Sequence, residues 1–262
     1  MPIKADIGLE VLYGFLLTMA RVGGALILIP MPGFQGVPPV ARIVLIVATT
    51  VCLFPFWPHV VFPDLATGEF LLAILRETGF GLVLGLAVSF LTESLQLAAQ
   101  LISMQTGFSF ASTFDPSSQA DSGVFQVLSQ LAAGLFFFAF GIHRQLIRMF
   151  ALSMSSMNWD SSPFLMYGAG SAPVTEVIRM GSTMFITALR LALPAVALLL
   201  LTDLCLSVIS RIQAQMQLLM LAFPAKISLS LFFLSAIMVR WPAIYEQTAT
   251  LLLNRILRLL VP

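Results

Sequence analysis

Between two long apolar segments lies the sequence GFSFASTFDPSSQADSG, which occupies residues Gly107–Gly123. Its glycines loosen the backbone and Pro116 has no amide donor, so this stretch cannot continue a helix. Loops between membrane helices are mostly hydrophilic, but this one keeps Phe108, Phe110 and Phe114. A flexible loop with large apolar side chains suits a plug that sits in a narrow passage and gives way. The alternative is an ordinary re-entrant or surface loop whose aromatic rings lie at the membrane interface.

The overall composition requires surroundings other than water. Hydrophobic residues make up 59% of the 262-residue chain and charged residues only 10%, and the mean hydropathy is +0.99. Since soluble domains carry about 25% charged residues, this chain must bury its exterior in lipid, in partner subunits, or in both. A net charge of +1 without a long basic run argues against a nucleic-acid partner.

The apolar residues form segments, most of them close to the roughly 20 residues that cross a bilayer. No segment shows the alternation of a β-barrel strand. The sequence therefore predicts an all-α, polytopic membrane-associated protein of long, kinked helical hairpins. The N-terminal segment has no small-residue cleavage site, which indicates a retained helix rather than a signal peptide. The six segments are Leu9–Ile29, Val40–Phe54, Phe70–Met104, Val124–Met154, Val174–Leu221 and Pro224–Leu253, with a polar connector at Asn158–Pro173 and a short turn near Ala222-Phe223-Pro224.

Four charged residues, Arg21, Glu93, Arg190 and Asp203, fall well inside these segments. A charge at the bilayer centre costs about 2.5–3.5 kcal/mol even on a lenient insertion scale. Either these residues pair inside a helix bundle, or other subunits cover the helices. We favour the second interpretation, because several segments also exceed the depth of a bilayer. The two cysteines, Cys52 and Cys205, are interpreted as small buried hydrophobic residues.

The polar residues do not form an enzyme site. His59 and His143 have no cysteine, histidine or carboxylate at metal-ligand spacing, and we expect no cofactor or metal. Gly81 and Gly85 lie inside an apolar helix and follow no strand, so they do not form a phosphate loop. Their spacing puts two small residues on one helix face, where a neighbouring helix can approach closely. The alternative is that glycines are simply common in membrane helices.

Five groups of residues follow one another along nearly the whole chain. They are Arg21 with Pro30, Pro38, Arg42 and Pro55; Glu77 with Gly81 and Gly85; Gln105, Gly107, Phe110, Asp115 and Pro116 in MQTGFSFASTFDP; Ser129-Gln130 with Gly141 and His143; and Arg211, Gln215, Phe223, Pro224 and Lys226. In this order they resemble the flagellar biosynthetic protein FliR family of type III secretion. Two positions differ, since the family often has proline at Ala214 and glycine at Ala222. Both differences favour helix, so we expect the turn to start later here and doubt a bend at Ala214.

The resemblance implies a non-enzymatic subunit of the flagellar export gate in the bacterial inner membrane, within the basal body. Its expected partners are FliP and FliQ in a helical assembly partly raised above the bilayer, FlhB and FlhA at the cytoplasmic base, exported unfolded proteins, and membrane lipid. Residues 1–173 would correspond to a FliP-like part and residues 174–262 to a FliQ-like hairpin. The plug would comprise Gly107, Phe108, Phe110, Phe114, Asp115 and Pro116, and the partner-facing cytoplasmic turn Arg211, Gln213, Gln215, Gln217, Phe223, Pro224 and Lys226.

Two other functions stay open. One is the homologous subunit of a virulence injectisome. The other is a self-contained secondary transporter or channel, in which intramembrane ionisable residues would cluster at the midplane beside broken helices. Glu93, Arg190 and Asp203 are the candidates for such a cluster, but no inverted repeat is evident in the sequence.

Overall fold

The computed structural model describes residues 3–29, 38–58, 67–107, 124–156, 172–212 and 218–260. Within these ranges the regular structure is helical, with eight α-helices and one turn of 3-10 helix at Phe54–Phe56. The all-α prediction is confirmed. The helices are α1 (Ile3–Leu28), α2 (Pro39–Cys52), α3 (Thr67–Thr106), α4 (Val124–Ala139), α5 (Ile142–Ser156), α6 (Ala172–Ile212), α7 (Leu218–Met238) and α8 (Trp241–Leu260).

Several helices are long and apolar enough to cross a membrane. Three single helices, α1, α3 and α6, meet this condition, and the number rises to five if the bent pairs α4–α5 and α7–α8 each form one span. Helix α2 is apolar but has only 14 residues, too few to cross a bilayer that needs about 20. The predicted polytopic helical membrane protein is therefore confirmed.

Two of the predicted segments are bent pairs of helices. The axes of α4 and α5 differ by 58°, and those of α7 and α8 by 55°. At the first bend Gly141 has a φ of +65°, a left-handed conformation that glycine adopts without a steric penalty. At the second bend, between Met238 and Trp241, no residue has a positive φ. The first bend therefore coincides with a glycine at positive φ. The second coincides with Pro242 in the first turn of α8, which has no amide donor to continue the preceding helix.

The predicted position of the hairpin turn is wrong. Helix α6 ends at Ile212, and α7 begins at Leu218 and continues through Pro224. The residues near Ala222-Phe223-Pro224 are therefore helical rather than a turn, and no turn starts later within α7. Residues 213–217, between α6 and α7, lie outside the described residues. Ala222 favours helix where glycine would weaken it, and the apolar run from Leu218 carries the helix past the proline. The doubted bend at Ala214 lies outside the described residues.

The chain divides into two units. Unit 1 contains residues 1–90, 137–181 and 249–262, and unit 2 contains residues 91–136 and 182–248. Each unit has its own buried apolar residues, which is what a helical unit needs to hold its elements together. In unit 1 they include Leu17, Val22, Leu84, Ile142, Phe150 and Ile256, and in unit 2 they include Leu95, Ile102, Phe125, Leu191, Trp241 and Tyr245.

Apolar side chains also cover much of the outer surface. Helix α2 exposes Val40, Ile43 and Val44, and α6 is apolar on its outer side over most of its length. The prediction that Cys52 and Cys205 are buried is wrong, since both are free thiols exposed on the surface of the chain. They lie on α2 and α6, whose apolar outer faces this chain does not cover.

Candidate helix-packing site and loop anchor

A buried polar cluster in unit 1 joins three helices. Arg21 of α1 is 1% exposed, and its Nε donates a hydrogen bond to the carboxylate of Glu77 of α3, which is 6% exposed. The guanidinium also donates to Ser153 Oγ of α5 at 2.9 Å and lies 4.9 Å from the centroid of the Phe80 ring. The Ser153 hydroxyl in turn donates to the carbonyl oxygen of Phe150 at 2.8 Å. Each polar group of the cluster thus has a partner in this chain.

Glycines let α1 and α3 come together beside this cluster. A Cβ atom at Gly81 would overlap the carbonyl oxygen of Arg21, and one at Gly85 would lie 2.5 Å from the carbonyl oxygen of Ala25. Gly24 on the facing helix is equally restricted, because its Cβ would lie 2.5 Å from the carbonyl oxygen of Thr78. The obstructing atoms belong to the backbone, so they cannot turn aside as a side chain can. The two helices therefore touch along a face that admits no side chain at these positions.

A second polar cluster, in unit 2, lies where α3 ends. Lys226 of α7 forms an ion pair with Asp203 of α6. Gln105 of α3 donates from Nε2 to Asp203 Oδ2 at 3.1 Å. The lysine and aspartate side chains are 18% and 37% exposed, so this cluster is more open than the one around Arg21. We call Gln105, Asp203 and Lys226 the anchor cluster, because Gln105 stands one residue before the end of α3.

The residue after α3 turns the chain away from the helix. Gly107 has a φ of +87°, a value that residues other than glycine rarely adopt. Gly107 is the first residue of the predicted plug loop, so this loop leaves a helix end that the anchor cluster holds. The other predicted plug residues, Phe108, Phe110, Phe114, Asp115 and Pro116, lie outside the described residues.

The predicted partner-facing turn is only partly within the described residues. Arg211 lies exposed in the last turn of α6, and Phe223, Pro224 and Lys226 lie in α7. Pro224 is exposed, whereas Lys226 reaches Asp203. Gln213, Gln215 and Gln217 lie outside the described residues.

Of the four charges inside apolar segments, two have an ion-pair partner and two do not. Arg21 and Asp203 find partners of opposite charge within the chain. Glu93 and Arg190 have no ion pair with any residue that the structure describes. Sequence reasoning singled out Arg21, Glu77, Gln105 and Lys226 but did not pair them. Opposite charges inside apolar segments, as at Arg21 and Glu77 or Asp203 and Lys226, indicate that each needs a partner but do not say which one. Nothing in the sequence indicated that Ser153 belongs to the cluster around Arg21.

No arrangement of metal ligands is present in the described ranges, where no three histidine, cysteine, aspartate or glutamate residues come together. The polar clusters consist of ion pairs and amide hydrogen bonds between helices. Such contacts fix helices relative to one another, and neither cluster combines a nucleophile with a base.

Comparison with known proteins gives consistent matches over most of the chain. The profile of the family described as bacterial export proteins, family 1, matches residues 12–252. A flagellar biosynthetic protein FliR of Bacillus subtilis is 29% identical over 84% of each chain. FliR of Escherichia coli is 25% identical over 80% of this chain and 78% of its own. FliR of Caulobacter vibrioides is 27% identical over 88% of this chain and 92% of its own.

Proposed function

The chain belongs to family 1 of the bacterial export proteins, and we propose that it is a non-enzymatic subunit of the flagellar protein export gate. Relatives named flagellar biosynthetic protein FliR match most of its length. In this proposal the subunit helps to form and close a channel through which unfolded flagellar proteins cross the bacterial inner membrane. It would act in the flagellar basal body, with part of it raised above the bilayer.

The observation that carries the gate proposal is the anchored end of α3. The hydrogen bond from Gln105 to Asp203 holds this helix end against α6, and the ion pair to Lys226 extends the contact to α7. The loop that starts at Gly107 therefore has a fixed origin. The glycines and serines of the loop let it move aside, and its fixed origin lets it return to the same place. Its phenylalanines would supply an apolar constriction that resists water and ions.

The proposed partners follow from the same assignment. FliP and FliQ would surround the subunit, FlhB and FlhA would meet its cytoplasmic base, and lipid would contact the part within the bilayer. Residues 1–173 would form the FliP-like part and residues 174–262 the FliQ-like part. The two antiparallel helices expected of a FliQ-like hairpin are supported by α6 and α7, which the Asp203–Lys226 ion pair connects. The segment from Arg211 to Lys226 would face the partners.

A deletion tests the proposed plug. Removal of Phe110–Pro116 should leave the gate assembled but leaky to ions and small solutes, so that growth slows under salt stress. A Phe110→Ala change should leak less, because Phe108 and Phe114 still block the passage. The matched control keeps the loop length and replaces its three phenylalanines by serine, which separates loss of the apolar constriction from shortening. The measurement is ion conductance or small-molecule entry in cells. A tight barrier in an assembled gate that carries the deletion would refute the plug.

A further inference from the structure

Helix α6 carries an exposed apolar stripe that contains one charge. Residues along this stripe are spaced three or four apart, so they share one helix face. Within an 18-residue apolar stretch of α6, only 17% of the residues are buried in this chain. We call these residues the outer stripe: Ile186, Arg190, Leu193, Ala197, Leu201, Leu204 and Val208, all exposed.

The apolar outer side of α6 is too long for lipid alone to cover it. It reaches from Ile178, 66% exposed, to Ile209, 45% exposed. At 1.5 Å per residue this distance is about 46 Å, and even a tilt of about 40° leaves it about 35 Å deep. The hydrocarbon layer is about 30 Å thick. Part of this apolar surface therefore lies outside hydrocarbon, where burial against another protein is its favourable state.

The charges of α6 lead to the same conclusion. Between Arg179 and Arg211, every stretch of about 20 residues contains Arg190 or Asp203. A part of α6 that is long enough to cross a bilayer therefore always includes a charge. Asp203 is held by Lys226 and Gln105. Within the described ranges no carboxylate pairs with Arg190, although exposed apolar residues flank it one turn away on either side. An arginine cannot lose its proton, so a cover over this stripe must supply an anion.

We propose that an apolar helix of a partner subunit packs along the outer stripe and places one carboxylate against Arg190. The proposal rests on the proposed function, since it assumes that the chain works inside a multisubunit assembly. Ala197 lies two turns beyond Arg190, and its small side chain gives the incoming helix room for close contact. The bidentate fork of a guanidinium matches a carboxylate in both geometry and charge. The pair would thus set the register of the partner helix on α6.

The test is co-purification of the complete assembly from cells that express the chain with its partner subunits. Arg190→Leu should reduce recovery of the assembly about tenfold, because it leaves the partner carboxylate buried without a cation. Arg190→Glu should reduce it further through repulsion, and Arg190→Lys should retain most of it. A change of an acidic residue to lysine in one partner should restore assembly of the Arg190→Glu chain. The matched control is Arg179→Leu on the same helix, since Arg179 pairs with Glu176 of its own helix, and we expect normal recovery.

Normal recovery of the assembly with both Arg190→Leu and Arg190→Glu would overturn the proposal and indicate that Arg190 contacts a lipid headgroup. Because Arg190 is exposed, the chain itself should fold in every variant, and its abundance and protease resistance check this. The gate function is scored separately by the leak of the Phe110–Pro116 deletion. A leaking deletion with fully assembling Arg190 variants would refute only the partner helix, whereas a tight deletion would refute the plug.

Discussion

The two units differ in how far their internal charges are buried and paired. In unit 1, Arg21 and Glu77 are almost completely buried and are held by each other and by Ser153. In unit 2, Asp203 and Lys226 are partly exposed, and Arg190 on the same helix as Asp203 has no carboxylate partner in the described ranges. Both units belong to one apolar chain, so composition does not account for the difference.

The difference indicates which surfaces this chain completes by itself. The α1–α3 contact in unit 1 has interlocking glycines and a satisfied ion pair, so it needs no other subunit. The outer side of α6 has neither, and it exposes apolar residues over most of its length. Substitutions in the first region should therefore unfold the isolated chain, whereas substitutions in the second should affect it much less.

The largest effect is expected from Glu77→Leu. This change removes the carboxylate that Arg21 Nε binds, and a buried arginine that loses its carboxylate costs about 3–5 kcal/mol. Thermal unfolding of the purified chain in mild detergent measures the loss. The matched control is the double variant Arg21→Leu with Glu77→Leu, which removes both charges. It should be more stable than the single variant, since no unpaired charge stays buried and Ser153 keeps its bond to Phe150. Equal stability of the two variants would contradict a buried ion pair.

A smaller loss is expected from Gly81→Leu, which tests the backbone contact without changing charge. The new side chain would meet the Arg21 carbonyl, so α1 and α3 must separate at a cost of about 1–3 kcal/mol. Recovery of the chain with its partner subunits should fall as well. Gly68→Leu on the same helix is the control, because no atom lies within 4 Å of its Cβ position. If both variants behave like the unmodified protein, the glycines have no packing role.

A third change, Gly141→Ala, compares the two bends. An alanine held at a φ of +65° is strained by about 1–2 kcal/mol. The nearest atoms to its Cβ belong to the side chain of Arg144, which can move, so the loss reflects backbone strain rather than crowding. Val239→Ala at the other bend should change stability little, since Val239 is 79% exposed. Equal melting temperatures of the Gly141→Ala and Val239→Ala variants would show that the first bend does not depend on Gly141.

The sequence predicted the helices well because long apolar runs determine them locally. It missed the bend at Gly141, since hydrophobicity continues through it, and the bend near Val239, although Arg240 and Pro242 interrupt the apolar run there. It misplaced the turn before Pro224 because proline is a strong breaker signal, and α7 tolerates it. The Arg21–Glu77 pair joins residues 56 apart in sequence, so no local pattern indicates it. The outward position of Cys52 and Cys205 was missed for a similar reason: an apolar run does not say which of its faces the chain covers.

The smallest effect is expected from Asp203→Asn, which removes the charge of the anchor cluster. The ion pair with Lys226 is partly open to solvent, and pairs of this kind contribute about 0–1 kcal/mol. The asparagine oxygen can still accept the hydrogen bond from Gln105, so the end of α3 should stay attached to α6. Thermal unfolding in detergent should therefore shift far less than in the Glu77→Leu variant. Lys226→Met is the matched control, since it breaks the same ion pair from the other side and should give a similarly small shift. A loss as large as that of Glu77→Leu would show that the ion pair of unit 2 contributes as much to stability as that of unit 1. The two units would then not differ in how they hold internal charges.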